Sequence, residues 1–235
     1  MRQHAAQSSA GPRVRAVTLS IDVVLLSAPA QRLQVLLRRA PEARGRTRWV
    51  LPWDGLRSGE SPEAAAQRIG RLLLGVAPAD VEQLGVFAGS ERHPGAPQLS
   101  IALVGLLPAT NEAPRDELAE WHDMGTLPTL PPRQSAMIAS ARRELRLRAA
   151  QGPVAFHLLP AAFTLTELQE TYELLLGHRL HKASFRRTLQ AAALVTPLDE
   201  WRSDGRGRPA QLFRYAPRSR PDEVRHRSRF QRLDD

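Results

Sequence analysis

Alternating and β-branched apolar positions in the first two thirds of the chain predict strands, and apolar positions three and four residues apart predict helices. Residues 14–26 and 32–39 are predicted to form a hairpin, because Ala28-Pro29 between them is typical of a turn. The mixture of strands and helices predicts an α+β fold built as an α/β/α sandwich. The remaining predicted elements are strands at 48–51, 81–88, 99–107 and an edge strand at 120–124, and helices at 62–74 and 133–150.

The two predicted helices of this part differ in their ends and faces. Ser61 before Pro62 gives an N-cap followed by proline in the first turn, and Gly75 ends the first helix. The second helix has an apolar face that runs from Met137 to Ala149, and we expect its outer face to be rich in arginine.

A second unit follows the break at residues 151–153, which read Gln-Gly-Pro. A helix is predicted over 164–176 from the capping box Thr164-x-x-Glu167, and a second helix over 182–193. Two strands at 194–201 and 210–215 then enclose a basic loop, so the order helix, helix, hairpin predicts a winged helix-turn-helix. The predicted organisation is a disordered leader (1–13), two domains (14–151 and 153–217) and a charged flexible tail (218–235).

The composition narrows the class of protein. The chain has 235 residues and no cysteine, which excludes disulfides and Cys-ligated metals. It shows neither the apolar core of a signal peptide nor an apolar run of about 20 residues, so we expect a cytoplasmic, nucleoid-associated protein without a membrane partner.

Positive charge is concentrated in the second unit. The net charge is +9, but Lys182 is the only lysine, so the excess of arginine alone is weak evidence. Residues 178–220 hold ten Lys or Arg against three acids, a net charge of +7, whereas the helix before them carries three glutamates. This separation of charge predicts that residues 178–220 bind double-stranded DNA. The alternative is that they form an ordinary solvated basic surface in an arginine-rich proteome.

The predicted DNA contacts lie on the second helix of this unit and on its loop. Arginine can bind guanine through two hydrogen bonds, glutamine can bind adenine, and a wing is placed to touch phosphates. The DNA-binding candidates are Lys182, Ser184, Arg186, Arg187 and Gln190 on the helix, and Arg202, Arg206 and Arg208 on the loop.

Residues 52–76, PWDGLRSGESPEAAAQRIGRLLLGV, resemble the Nudix box, in which a glycine-rich turn leads into a helix with metal-binding glutamates. The three glutamates after the box arginine correspond to Ile69, Leu72 and Leu73, which cannot ligate a metal. Trp53 and Asp54 replace the two glycines of the turn. We therefore expect no metal, no cofactor and no catalytic residue, although Asp54, Glu60 and Glu63 remain nearby. An ordinary amphipathic helix after a turn is the alternative.

The runs FTLTELQETYELLLGHRLHKASFRR and GRGRPAQLFRY are similar to the C-terminal domain of the Nudix-related transcriptional regulators of NAD metabolism, the NrtR family. The resemblance implies a homodimeric regulator, usually a repressor, that ADP-ribose or a related nucleotide releases from its operator. It also implies ligand contacts, because arginines can grip a diphosphate without a metal. The ligand-binding candidates are Arg38, Arg39, Trp49, Arg57, Glu60 and Arg92.

Other interpretations remain open at the level of sequence. The protein could be a Nudix hydrolase with an added nucleic-acid-binding segment, which the aliphatic residues of the box oppose. It could also be a regulator that responds to a different ligand, or one whose Nudix domain only dimerises. Trp49 fits a core position equally well, and Arg38 and Arg39 fit an ordinary surface.

Overall fold

A computed structural model describes residues 17–42, 46–89, 93–109, 113–203 and 209–216. Within these residues the chain forms nine strands and four α-helices. The strands are β1 (Leu19–Ser27), β2 (Gln34–Pro41), β3 (Thr47–Val50), β4 (Trp53–Asp54), β5 (Asp80–Ala88), β6 (Leu99–Leu106), β7 (Ala119–Asp123), β8 (Val195–Arg202) and β9 (Ala210–Tyr215). The helices are α1 (Pro62–Leu74), α2 (Pro132–Gln151), α3 (Leu165–Leu176) and α4 (Lys182–Ala192).

The first seven strands form one mixed sheet with a helix on each face. Its central order is β3-β2-β1-β6-β5, with β4 paired to β1 and β7 paired to β2. Strands β1 and β6 are parallel, and the other pairs are antiparallel. Successive side chains of a strand point to opposite faces, so Val23 packs towards α1 and Val24 towards α2. The predicted α/β/α sandwich is confirmed.

Helix α1 has the bounds that its flanking residues predict. The Ser61 hydroxyl accepts a hydrogen bond from the Ala64 N–H at 3.2 Å. Gly75 follows with φ of +80°, a left-handed conformation that glycine adopts without a steric penalty.

The arginine-rich outer face of α2 is confirmed for its C-terminal half, where Arg142, Arg143 and Arg146 are exposed. Arg133 is an exception, because it is only 3% exposed and lies between α2 and the sheet. Among the described residues, no helix is long and apolar enough to cross a membrane.

The second unit is a helix pair followed by a two-stranded sheet. The predicted capping box is complete: the Thr164 hydroxyl accepts from the Glu167 N–H, and the Glu167 carboxylate accepts from the Thr164 N–H. Strands β8 and β9 pair antiparallel, and Phe163 adds a short bridge to Phe213. The arrangement is a winged helix-turn-helix, as predicted.

The core continues from the sheet into the winged helix without a break. One apolar cluster joins Leu26 of β1 and Leu145 of α2 to Leu168 of α3 and Phe185 of α4. At the junction, the buried Tyr172 donates its hydroxyl to the Gly152 carbonyl oxygen at 3.0 Å. The break at 151–153 therefore ends α2 but does not divide the core.

The turn between β1 and β2 reaches the winged helix. Ala30 and Gln31 both have left-handed backbones, with φ of 47° and 59°, which is uncommon for residues with a side chain. The Gln31 amide nitrogen lies 3.4 Å from the Glu167 carbonyl oxygen on α3. The tip of this hairpin thus meets the first turn of α3.

Candidate functional site

The box turn is held by a three-residue ion-pair cluster. Arg68 donates to both carboxylate oxygens of Glu60, at 2.7 and 2.9 Å, and to Asp54 at 2.5 Å. The Arg57 N–H also donates to Glu60, at 3.1 Å. The hydrogen bond from Arg68 is the main reason that the pKa of Glu60 falls to about 2. Both remaining acids of the turn are thus already bound to a cation.

The three box positions without a carboxylate have different surroundings. Ile69 and Leu73 are 3% and 4% exposed and pack against the α1 face of the sheet, whereas Leu72 is 71% exposed. Ile69 and Leu73 are therefore part of the hydrophobic core. Among the described residues, no group of three or more His, Asp or Glu could hold a metal ion.

The structure separates the predicted ligand residues of β2. Arg38 lies on the α1 side and donates to Asp116 at 2.6 Å. Arg39 lies on the opposite face, with its guanidinium 4.7 Å from the centre of the Trp49 ring. The half-buried Trp49 also meets His122 edge to face, with ring centres 4.4 Å apart. Arg39 and Trp49 therefore share one face, which Arg38 does not.

The other ligand candidates lie at the box and at the loop before β6. Arg57 is exposed, and Glu60 is held by Arg68. Arg92 lies outside the described residues. Buried Arg133 donates to the Gly89 carbonyl at 2.7 Å and to the Pro97 carbonyl at 3.1 Å. A single side chain thus joins the end of β5 to the segment before β6.

A buried polar network, which the sequence analysis missed, lies beneath this loop. The Asp22 carboxylate lies 2.7 Å from His93 Nε2 and accepts from Gln134 at 3.0 Å and from Ser20 at 2.7 Å. Asp22 and His93 have no exposed side-chain surface. The available sequence signal was an acid within the otherwise apolar run of β1, where an aspartate requires partners.

Trp53 covers the same loop from outside. Its ring meets the His93 ring edge to face at 5.0 Å between centres. A Cβ on Gly95 would come within 2.1 Å of the Trp53 ring, so any other residue there would have to displace this ring. The residue that replaces a box glycine therefore packs against the loop before β6.

On the second unit, α4 has the two faces that a recognition helix requires. Phe185 and Leu189 are 1% exposed and face the core. Ser184 is half-buried, and its hydroxyl lies 3.3 Å from His181 Nδ1. The exposed face carries Lys182, Arg186, Arg187 and Gln190.

The wing candidates have different positions. Arg206 and Arg208 lie outside the described residues. Arg202 forms an ion pair with Glu167 at 2.7 Å and donates to the Ala162 carbonyl oxygen at 3.2 Å. Arg202 thereby joins β8 to the capped end of α3. The sequence analysis did not predict this ion pair.

The chain matches two known domain families, one over its Nudix-like part and one over its winged helix. Residues 17–145 match the NUDIX domain family, and residues 155–215 match the NrtR DNA-binding winged helix domain. The chain is 28% identical over 207 residues to the ADPR responsive transcriptional repressor of Acinetobacter baylyi, covering 84% of this chain and 82% of the relative.

Solved structures with both domains are also similar. Shewanella oneidensis NrtR in complex with a 27mer DNA has a TM-score of 0.75 and 28% identity, covering 85% of this chain and 94% of that one. A MutT/nudix family protein from Enterococcus faecalis shares the fold, with a TM-score of 0.69 and 21% identity, covering 86% of this chain and 89% of its own. The chain therefore belongs to the Nudix family and carries the winged helix domain of the NrtR regulators.

Proposed function

We propose that this protein is a homodimeric, DNA-binding transcriptional repressor of genes of NAD metabolism, acting in the cytoplasm on the nucleoid. The observation that carries the proposal is the exposed basic face of α4, backed by buried Phe185 and Leu189. The similarity to Shewanella NrtR, whose structure contains DNA, supports the same assignment.

In this function α4 enters the major groove, where Arg186, Arg187 and Gln190 read base edges and Lys182 meets phosphate. Ser184, near the start of the helix, offers a hydroxyl group on a short side chain as a further DNA contact. Arg206 and Arg208 contact phosphates or the minor groove. Because Arg202 is held by Glu167, its role is to position the wing against α3.

The effector that we propose is ADP-ribose or a similar nucleotide, bound in the Nudix domain. The Acinetobacter relative is named as ADPR responsive, which supports this choice. Arg57, Arg92 and the pair of Arg39 with Trp49 supply cations and an aromatic face for such a ligand. Arg38 and Glu60 contribute indirectly, because they are paired with Asp116 and Arg68.

The domain binds its ligand without hydrolysing it. Magnesium needs several oxygen ligands, but Ile69, Leu72 and Leu73 provide none. Asp54 and Glu60 are both held by Arg68, so they do not replace the missing acids. The residues present therefore do not fit the metal that Nudix hydrolysis uses, and the protein acts as a regulator rather than an enzyme.

Ligand binding acts on DNA affinity by changing the arrangement of the two winged helices in the dimer. The recognition helices must match major grooves about 34 Å apart. An effector changes this match only if it binds the two arrangements with different affinity. The continuous core between the Nudix sheet and α4 provides a physical connection for this change.

The test is fluorescence anisotropy of the purified protein with duplexes tiled across the region upstream of its own gene, with and without ADP-ribose. Selective binding that ADP-ribose weakens is the expected result. Selective binding that ADP-ribose does not change would mean that the protein is a DNA-binding regulator but that ADP-ribose is not its effector. A Nudix domain that only dimerises would give the same result. Binding no stronger than to a scrambled duplex would overturn the proposal.

A further inference from the structure

Helix α2 of the Nudix domain is rich in arginine. It carries five arginines and one glutamate over Pro132–Gln151. Three of these arginines bind other parts of the Nudix domain. Arg133 holds the loop before β6, and Arg148 forms an ion pair with Asp80. Arg142 donates to the Met124 carbonyl oxygen at 2.6 Å. The other two, Arg143 and Arg146, are exposed and form no ion pair with any residue that the structure describes.

These two arginines lie beside the turn of the helix-turn-helix. Together with Leu147 and Ala150, they line a surface depression of about 440 Å³ whose opposite wall is Leu176 and His178. His178 is four residues before Lys182, the first residue of α4. The basic surface of α2 is therefore continuous with the start of the predicted recognition helix.

The geometry of helix-turn-helix binding places this surface near the DNA backbone. When the second helix lies in the major groove, the first helix crosses the phosphate backbone. Here the first helix, α3, packs against α2, and its last turn contributes Leu176 to the depression. An exposed arginine at this junction is in a position to meet phosphates just outside the bases that α4 reads.

We propose that Arg143 and Arg146 of the Nudix domain form a second DNA contact, which binds backbone phosphates that flank the half-site. This inference rests on the DNA binding proposed above and extends it beyond the winged helix. Phosphate contacts carry no sequence information, so this surface adds affinity and its salt dependence without adding selectivity.

The experiment compares wild type with the double variant Arg143→Ala/Arg146→Ala, by anisotropy on an operator duplex and a scrambled duplex between 50 and 200 mM salt. Each phosphate contact contributes about 0.9 to the slope of log K against log salt. We expect the slope to fall by about 2 for each bound protomer. Affinity for both duplexes should weaken by the same factor, so the ratio between them should not change.

Two further variants separate charge from folding. Arg143→Lys/Arg146→Lys keeps the positive charges and should retain most of the slope. Arg71→Ala removes an exposed arginine of α1, on the other face of the sheet, and should leave the slope unchanged. A wild-type slope in the double alanine variant would overturn the inference while leaving the regulator intact. Failure of wild type to prefer the operator would instead overturn the proposed function.

Discussion

The guanidinium of Arg68 binds Glu60 through two nitrogens, at 2.7 and 2.9 Å. A third nitrogen of the same group reaches Asp54 at 2.5 Å. In a box that lacks the three glutamates after its arginine, this arginine thus binds the two carboxylates of the turn. This cluster gives the turn a fixed shape without any metal.

The first prediction concerns the pH dependence of this cluster. The pKa of Glu60 is about 2 in the folded chain, below its ordinary value of 4.5. A lowered carboxylate pKa stabilises the fold above pH 4.5, and this contribution is lost as the pH falls from 4.5 towards 2. Arg68→Ala should therefore lower the Tm most above pH 4.5, and its difference from wild type should shrink on acidification. Arg71→Ala, an exposed arginine of the same helix, should show no such trend.

The second prediction separates the three former metal positions. Leu72→Glu should change the free energy of unfolding by no more than about 0.5 kcal/mol, because its side chain is exposed. Ile69→Glu should cost about 3 kcal/mol or more, since it buries an unpaired carboxylate in the core. Urea denaturation of both variants measures the contrast. Equal costs would show that the box helix does not face the sheet in this way.

The third prediction concerns base reading by α4. Arg187→Ala should weaken operator binding by about 1–3 kcal/mol and relax its selectivity, because a bidentate contact to a base is lost. The Tm should hardly change, since the side chain is exposed. Phe185→Ala, the neighbouring buried position, should instead lower the Tm strongly. An Arg187→Ala protein with full selectivity would remove this arginine from the interface.

The fourth prediction concerns the buried network beneath the loop before β6. Asp22→Ala leaves the His93 ring and the Gln134 amide without their shared acceptor and should cost about 1–3 kcal/mol for each of these two buried donors. Asp22→Asn keeps one oxygen acceptor and should cost less. Both are measured by urea denaturation, with proteolysis of the loop as a second readout. If Asp22→Ala were as stable as wild type, the network would not hold this loop.

Much of the fold was predictable because its signals are local. The ends of α1 and α3 follow from Ser61, Gly75 and the capping box of Thr164, and the helix bounds are confirmed to within a residue or two. Most strand bounds were within two residues, since alternation identifies a strand from its own residues. The first predicted strand began too early, because residues 17–18 precede β1, and the two-residue strand β4 was not predicted.

The polar contacts that define the sites were not predictable, because they join residues far apart in sequence. Asp22 and His93 are 71 residues apart, and Glu167 and Arg202 are 35 apart. Nothing in the sequence indicated that Arg133 lies inside, because arginine is usually exposed. It lies inside because the carbonyl oxygens of the loop before β6 offer it acceptors that helical periodicity does not reveal.

The apolar cluster that runs from Leu26 to Phe185 has a consequence for how the molecule comes apart. Because one apolar core spans the Nudix sheet and the winged helix, the chain should melt in one cooperative transition, and a winged helix cut from the rest should be less stable. A nucleotide that binds only the folded Nudix sheet then raises the free energy of opening for the entire molecule. The effector would thus release the repressor from DNA and, in the same event, protect it from proteases.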